Sequence, residues 1–133
     1  MLVLKTLLET PTFAISHDAP LQCLYVVWRG PHDVDSSLTN CALILHHVRD
    51  TKAHLVLNDS SLVLDGWSEV TNWLAKAFFP ALADHGVLAI AWVKALDWPA
   101  RAAIEQTLRN TTRPVVDTFE DTFEALTWLC AIR

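Results

Sequence analysis

An α/β domain built on a mainly parallel sheet is the fold class this sequence predicts, and three observations predict it. From residue 33 onward, strand-like apolar runs alternate with amphipathic helical stretches, the pattern of successive strand–helix units. The run Gly86-Val-Leu-Ala-Ile-Ala-Trp-Val93 is apolar without alternation, as in a strand buried on both faces of a parallel sheet. Ahead of these units stand two extended segments joined by a turn, which add a hairpin at the start of the sheet.

The hairpin comprises Thr12-Phe-Ala-Ile-Ser-His17 and Leu21-Gln-Cys-Leu-Tyr-Val-Val-Trp-Arg29, with Asp18-Ala-Pro20 as the turn and Gly30-Pro31 as the stop. Asp33-Val-Asp-Ser supplies capping and acidic residues to open a helix, and Val34, Leu38, Cys41, Ala42, Leu45 and Val48 recur at helical spacing as its inner stripe. His54-Leu-Val-Leu-Asn58 is the next strand, followed by a loop from Asp59 to Leu64. A helix over residues 67–85 follows, with Val70, Trp73, Leu74, Ala77, Phe78 and Leu82 inward. Pro80 lies inside it and is expected to kink or split it, because proline lacks the helical donor and crowds the preceding turn. Gly86 is a natural C-terminal cap.

After the strand Val87–Val93, Pro99 suits the first turn of a helix reaching Leu108. Arg113-Pro-Val-Val-Asp-Thr-Phe119 reads as the last strand, its proline placed at a first or edge position. The final helix opens at Glu120-Asp121 and turns Phe123, Ala125, Leu126, Leu129 and Cys130 inward. Right-handed crossovers with strands in sequential order then place the helices mostly on one sheet face.

The chain has 133 residues, 52% of them hydrophobic and 19% charged, which suits one domain spanning residues 1–133 with a substantial core. A net charge of −5 excludes the basic field that nucleic acid or an anionic membrane surface requires. The longest apolar run is far short of the roughly 18–20 residues that cross a bilayer, so no membrane insertion is expected. The start, Met1-Leu-Val-Leu-Lys-Thr-Leu-Leu-Glu9, lacks the charge order and cleavage site of a signal peptide. Cys23, Cys41 and Cys130 are odd in number and widely spaced, which fits reduced thiols and a cytoplasmic location.

Three stretches go beyond fold class: Leu24-Tyr-Val-Val-Trp-Arg-Gly30, Trp73-Leu-Ala-Lys-Ala-Phe-Phe-Pro-Ala-Leu-Ala-Asp-His-Gly-Val-Leu-Ala-Ile-Ala91 and Phe119-Glu-Asp-Thr-Phe-Glu-Ala-Leu-Thr-Trp-Leu129. Together they resemble the SpoIIAA-like (STAS-related) family of small, mostly uncharacterised bacterial proteins. The resemblance implies a right-handed β–α superhelix like that of anti-sigma-factor antagonists and of lipid-binding CRAL-TRIO domains. The antagonist branch uses a phosphorylated serine in an aspartate-serine-serine-glycine turn at a helix start. Asp59-Ser60-Ser61 is followed here by Leu62 and lies directly after a strand, and Ser68 reads as a helix cap, so no phosphorylation site is expected.

Chemical motifs are sparse. The histidines His17, His32, His46, His47, His54 and His85 show no chelating spacing; His46 and His47 point about 100° apart on a helix, so no metal site is expected. The cysteines fall on apolar helix faces or in a strand, where a thiol behaves as a small hydrophobe. Ligands in open parallel sheets gather at the carboxyl ends of the strands. That rim offers Arg29 and His32, Asn58 and Asp59, and Trp92, Lys94, Asp97 and Trp98 as candidate ligand-binding residues.

The functional expectation is a non-catalytic binding or regulatory module that acts through protein–protein contact or a small ligand and needs no cofactor. The alternatives are a carrier of a lipid or other hydrophobic molecule and, third, an enzyme whose nucleophile–base pair no motif identifies. A large apolar cavity beneath the Pro80 helix is the mark of the carrier. Both faces of the strand around Tyr25 are apolar, and with helices on one side only, the other side calls for the hairpin or a second molecule. The expected partners are therefore an unidentified protein or small molecule and a symmetric homodimer.

Overall fold

The computed structural model describes residues 4–64, 70–96, 98–109 and 111–132. They form one six-stranded sheet in sequential order: β1 (Leu4–Glu9), β2 (Phe13–Asp18), β3 (Cys23–Pro31), β4 (Leu55–Leu64), β5 (Ala89–Val93) and β6 (Val115–Phe119). The first three strands pair antiparallel, and β3 to β6 pair parallel. The expected mainly parallel α/β sheet is therefore present, with one more N-terminal strand than the sequence reading contained. β1 is an edge strand with no buried residue, so burial imprints no alternation on it. Thr10 closes the β1–β2 turn, its hydroxyl accepting from the Phe13 N–H at 2.9 Å.

The strand after the first helix is also longer than expected. Asp59–Leu64, read as a loop, continues β4 alongside β3, with one extra β4 residue bulging between the Val27–Asp59 and Arg29–Leu62 pairs. Polar side chains there bond to each other instead of turning the chain: Asn58 Nδ2 donates to Ser60 Oγ at 2.8 Å, and Ser61 Oγ donates to Asp59 Oδ1 at 2.6 Å.

α1 (Val34–Thr51) begins at the capping box formed by Asp33 and Ser36. Its buried stripe is Ser37, Cys41, Ile44 and Val48, so Leu38 and Ala42, expected inside, face solvent. The next helical stretch comes in three successive pieces: α2 (Thr71–Trp73), a π-helical turn (Leu74–Phe78) and α3 (Phe79–Asp84). The Phe79 N–H donates five residues back, to the Leu74 carbonyl, immediately before Pro80. The helix is thus split beside Pro80, where a split is expected, and the dividing element is a π turn.

Packing also favours that turn. Val70, Leu74, Phe78 and Leu82 are all buried at a spacing of four. In an ideal α-helix each such step overshoots a full turn by about 40°, spreading the four over about 120°. One π turn takes back roughly one residue's rotation and returns Leu82 to the face of Val70. Trp73 and Ala77, expected inside, are exposed. Gly86, at φ +99°, caps α3, and the Val87 N–H beyond it donates to the Leu82 carbonyl at 3.0 Å.

α4 (Trp98–Arg109) precedes β6, and α5 (Thr122–Ile132) closes the chain. The helices divide unequally between the sheet faces. α1, the α2–α3 stretch and α4 bury Cys41, Ile44, Phe79, Leu82 and Ile104 against Leu24, Val26, Trp28, Val56, Ile90 and Trp92. The opposite face, carrying Cys23, Leu55, Leu57, Ala89 and Ala91, is covered by Ala125 and Leu129 of α5, with Leu126 and Trp128 beside them. This corrects the expectation that a hairpin or a second molecule covers that face: the last helix of the same chain does so. It also re-phases α5, whose Phe123 and Cys130 point outward.

Candidate functional site

Alternation along the strands decides where the rim residues point, and it divides them between the two sheet faces. Asn58 and Trp92 are neighbours in the β4–β5 register and lie on the inner face, each only 3% exposed. Asn58 Oδ1 accepts from Trp28 Nε1 at 2.8 Å, while Trp92 stands edge-on to Phe79. His32 is buried against Trp28. Its Nε2 faces the carbonyls of Arg29 at 3.1 Å and Thr12 at 3.3 Å, which puts the ring proton on that nitrogen. These three side chains brace the junction of hairpin, sheet and helices.

The remaining described rim residues face outward. Arg29 reaches Glu9 at 3.8 Å and the Thr10 carbonyl at 3.5 Å. Asp59 holds Ser61 and bonds the Tyr25 hydroxyl, to which Thr122 at the start of α5 also bonds. Burial first, and the Asp59 charge second, raise the Tyr25 pKa above its ordinary value. Asp97 lies outside the described residues, and Trp98 is placed by its backbone alone, at the start of α4.

Lys94 joins a charge cluster that the sequence reading did not contain. It lies 3.5 Å from Glu105 and 3.4 Å from Glu120, and Arg101 bonds the same two carboxylates at 3.4 and 2.6 Å. Two cations and two anions alternate, and the Arg101 hydrogen bond leads the effects that hold the Glu120 carboxyl below its usual range. The i,i+4 spacing of Arg101 and Glu105 was visible in the sequence; their meeting with Glu120 needed the fold. Beside the cluster an open groove of about 370 Å³ runs between α4 and β6, lined by Glu105, Arg109, Val116 and Thr118 among others.

Among the described residues the core beneath α3 is closed. Beneath α3, among Ile44, Val56, Phe78, Phe79, Leu82 and Ile90, the void measures about 10 Å³, roughly the space of one water. The thiols within the core are also inert. Burial pushes Cys23 up to about 12 and drives Cys41 well above the ordinary thiol value, so both stay protonated. Ser60 is 1% exposed inside β4, and Ser61 is tied to Asp59; Ser68 lies outside the described residues.

The carboxyl end also exposes apolar side chains. Leu62 and Leu64 at the end of β4 are each 52% exposed, Leu96 beyond β5 is 73% exposed, and Phe123 beyond β6 is 79% exposed. The Leu96 N–H donates to the Ser61 carbonyl at 3.2 Å, and the Thr122–Tyr25 bond carries the start of α5 to the same end.

No protein-family model matches the chain, and no curated protein matches it. Among solved structures it is similar to SiaC of Pseudomonas aeruginosa, at 13% identity and a TM-score of 0.49, over 89% of this chain and 100% of that one. It is also similar to an uncharacterized protein from the DUF3478 family with a SpoIIAA-like fold from Shewanella loihica, at 15% identity and a TM-score of 0.47, over 96% of this chain and 93% of that one. Among the described residues, no helix is long and apolar enough to cross a membrane.

Proposed function

We propose that this chain is a non-catalytic binding module that meets a protein partner through the carboxyl end of its sheet. The observation that carries the reading is the contrast between a closed core and an exposed apolar end. A void of about 10 Å³ holds no lipid, whereas ligand pockets commonly measure about 300–1,000 Å³. That contrast counts against the carrier. Leu62, Leu64, Leu96 and Phe123 all lie at this end, and large apolar side chains exposed together at one end are what interaction sites use. Exposed apolar residues also occur at the opposite end of the sheet, Leu4, Leu88 and Val115 among them, but each is less exposed than Leu96 and Phe123.

Tyr25, Asp59, Arg29 and the Lys94–Arg101–Glu105–Glu120 cluster supply the polar rim for such a contact. The inward-facing Asn58, Trp92 and His32 act as its framework. A second copy of the chain is one partner of suitable chemistry, through this end and not through the face that α5 covers.

The test is native mass spectrometry of the chain isolated gently from its own cells, beside the double variant L96D/F123D. The expected result is a protein-mass adduct on the wild-type chain that the variant loses. A stoichiometric small apolar ligand, present on both, contradicts the proposal.

A further inference from the structure

His46, His47 and Asp50 lie in the last turns of α1, away from the carboxyl-end surface. Adjacent histidines on a helix point about 100° apart, which by itself argues against their sharing an ion. Asp50 changes that geometry, because it follows His46 by four residues and His47 by three, and so sits one turn on from both. His46 Nε2 lies 3.1 Å from Asp50 Oδ2, and the two imidazole rings meet edge-to-face with centroids 5.1 Å apart. One ligand atom from each of the three residues falls within 4.8 Å of the others.

We infer that His46, His47 and Asp50 form a binding site for a single divalent transition-metal ion of the zinc class. Two imidazole nitrogens and a carboxylate oxygen are borderline donors suited to such ions. An ion with ligands at about 2.0–2.2 Å sets tetrahedral neighbours about 3.3–3.6 Å apart. The His46–Asp50 pair is already closer than that, and the rest of the closure needs only side-chain rotations on a helix face where His46 and Asp50 are 60% and 62% exposed. His47 is half-buried beside them. Three protein ligands leave a fourth position open to water or to a group from outside the chain.

Zinc chloride titration of the purified chain by calorimetry, with imidazole NMR resonances followed in parallel, tests the site. The expected result is one saturable ion per chain, shifts confined to the His46 and His47 rings, and affinity at least about tenfold weaker in each of H46A, H47A and D50N. His85→Ala, at an exposed histidine elsewhere, leaves binding unchanged. All of these positions are surface or half-buried, and circular dichroism of each variant verifies folding before titration. Absence of saturable binding up to about 1 mM zinc overturns the inference, as does binding that survives both H47A and D50N.

Discussion

Replacing Asn58 by alanine separates a framework role from a ligand-contacting one. The side chain is 3% exposed, accepts from Trp28 Nε1 at 2.8 Å and donates to Ser60 Oγ at 2.8 Å. Each neutral hydrogen bond contributes about 0.5–1.5 kcal/mol net, and depriving a buried donor of its acceptor costs about 1–3 kcal/mol. With the small void left by the amide, Asn58→Ala should lower stability by about 2–4 kcal/mol, a large share of the roughly 5–15 kcal/mol typical of a domain. Urea unfolding followed by far-ultraviolet circular dichroism measures the loss. A double-mutant cycle with Trp28→Phe isolates the bond between them, for which a coupling of about 1 kcal/mol or more is expected. A variant within about 0.5 kcal/mol of wild type, or a cycle with no coupling, refutes the framework role and returns Asn58 to the list of ligand contacts.

Three further outcomes follow from the same geometry. Pro80→Ala should keep the π turn at Leu74–Phe78, because burial of Phe79 and alignment of Leu82, about 1.5–3 kcal/mol for each side chain, outweigh the roughly 1 kcal/mol hydrogen bond that an α turn restores; backbone chemical shifts report the turn, and a continuous α-helix from 71 to 84 refutes the packing argument. Ser60→Asp buries an unpaired carboxylate and should lower the melting temperature by tens of degrees or abolish folding, while Ser61→Asp, at a half-buried site beside Asp59, costs far less; equal effects in thermal melts contradict the placement of the two serines. A thiol reagent should label Cys130 promptly in the native chain and reach Cys23 and Cys41 only on unfolding; prompt modification of more than one thiol shows that the core is open.

The residues made some parts of this fold legible and hid others for physical reasons. Asp33 with Ser36, Gly86 and the apolar run to Val93 act locally, so cap, stop and buried strand could be read directly. β1 could not, because an exposed edge strand needs no alternating pattern. Asn58-Asp-Ser-Ser61 looked like a loop because polar residues usually turn a chain; here they satisfy one another within β4. α5 is apolar nearly all round, so nothing in its spacing chose Ala125 and Leu129 over Phe123 and Cys130. Arg29 and Lys94 lie near strand ends as read, but β4 runs on to Leu64 and leaves Asn58 and Asp59 within it. Strand alternation sends Asn58 and Trp92 inward and Asp59 outward, and bulges and helix positions decide such outcomes beyond the reach of spacing.

Site-specific photo-crosslinking in the cells that make the protein tests the central claim most directly. A photoreactive residue in place of Leu96 or Phe123 should give a discrete adduct with another polypeptide, and one in place of Leu88, at the opposite end of the sheet, should not. Adducts that form equally at both ends, or none at Leu96 and Phe123, would contradict a partner surface at the carboxyl end.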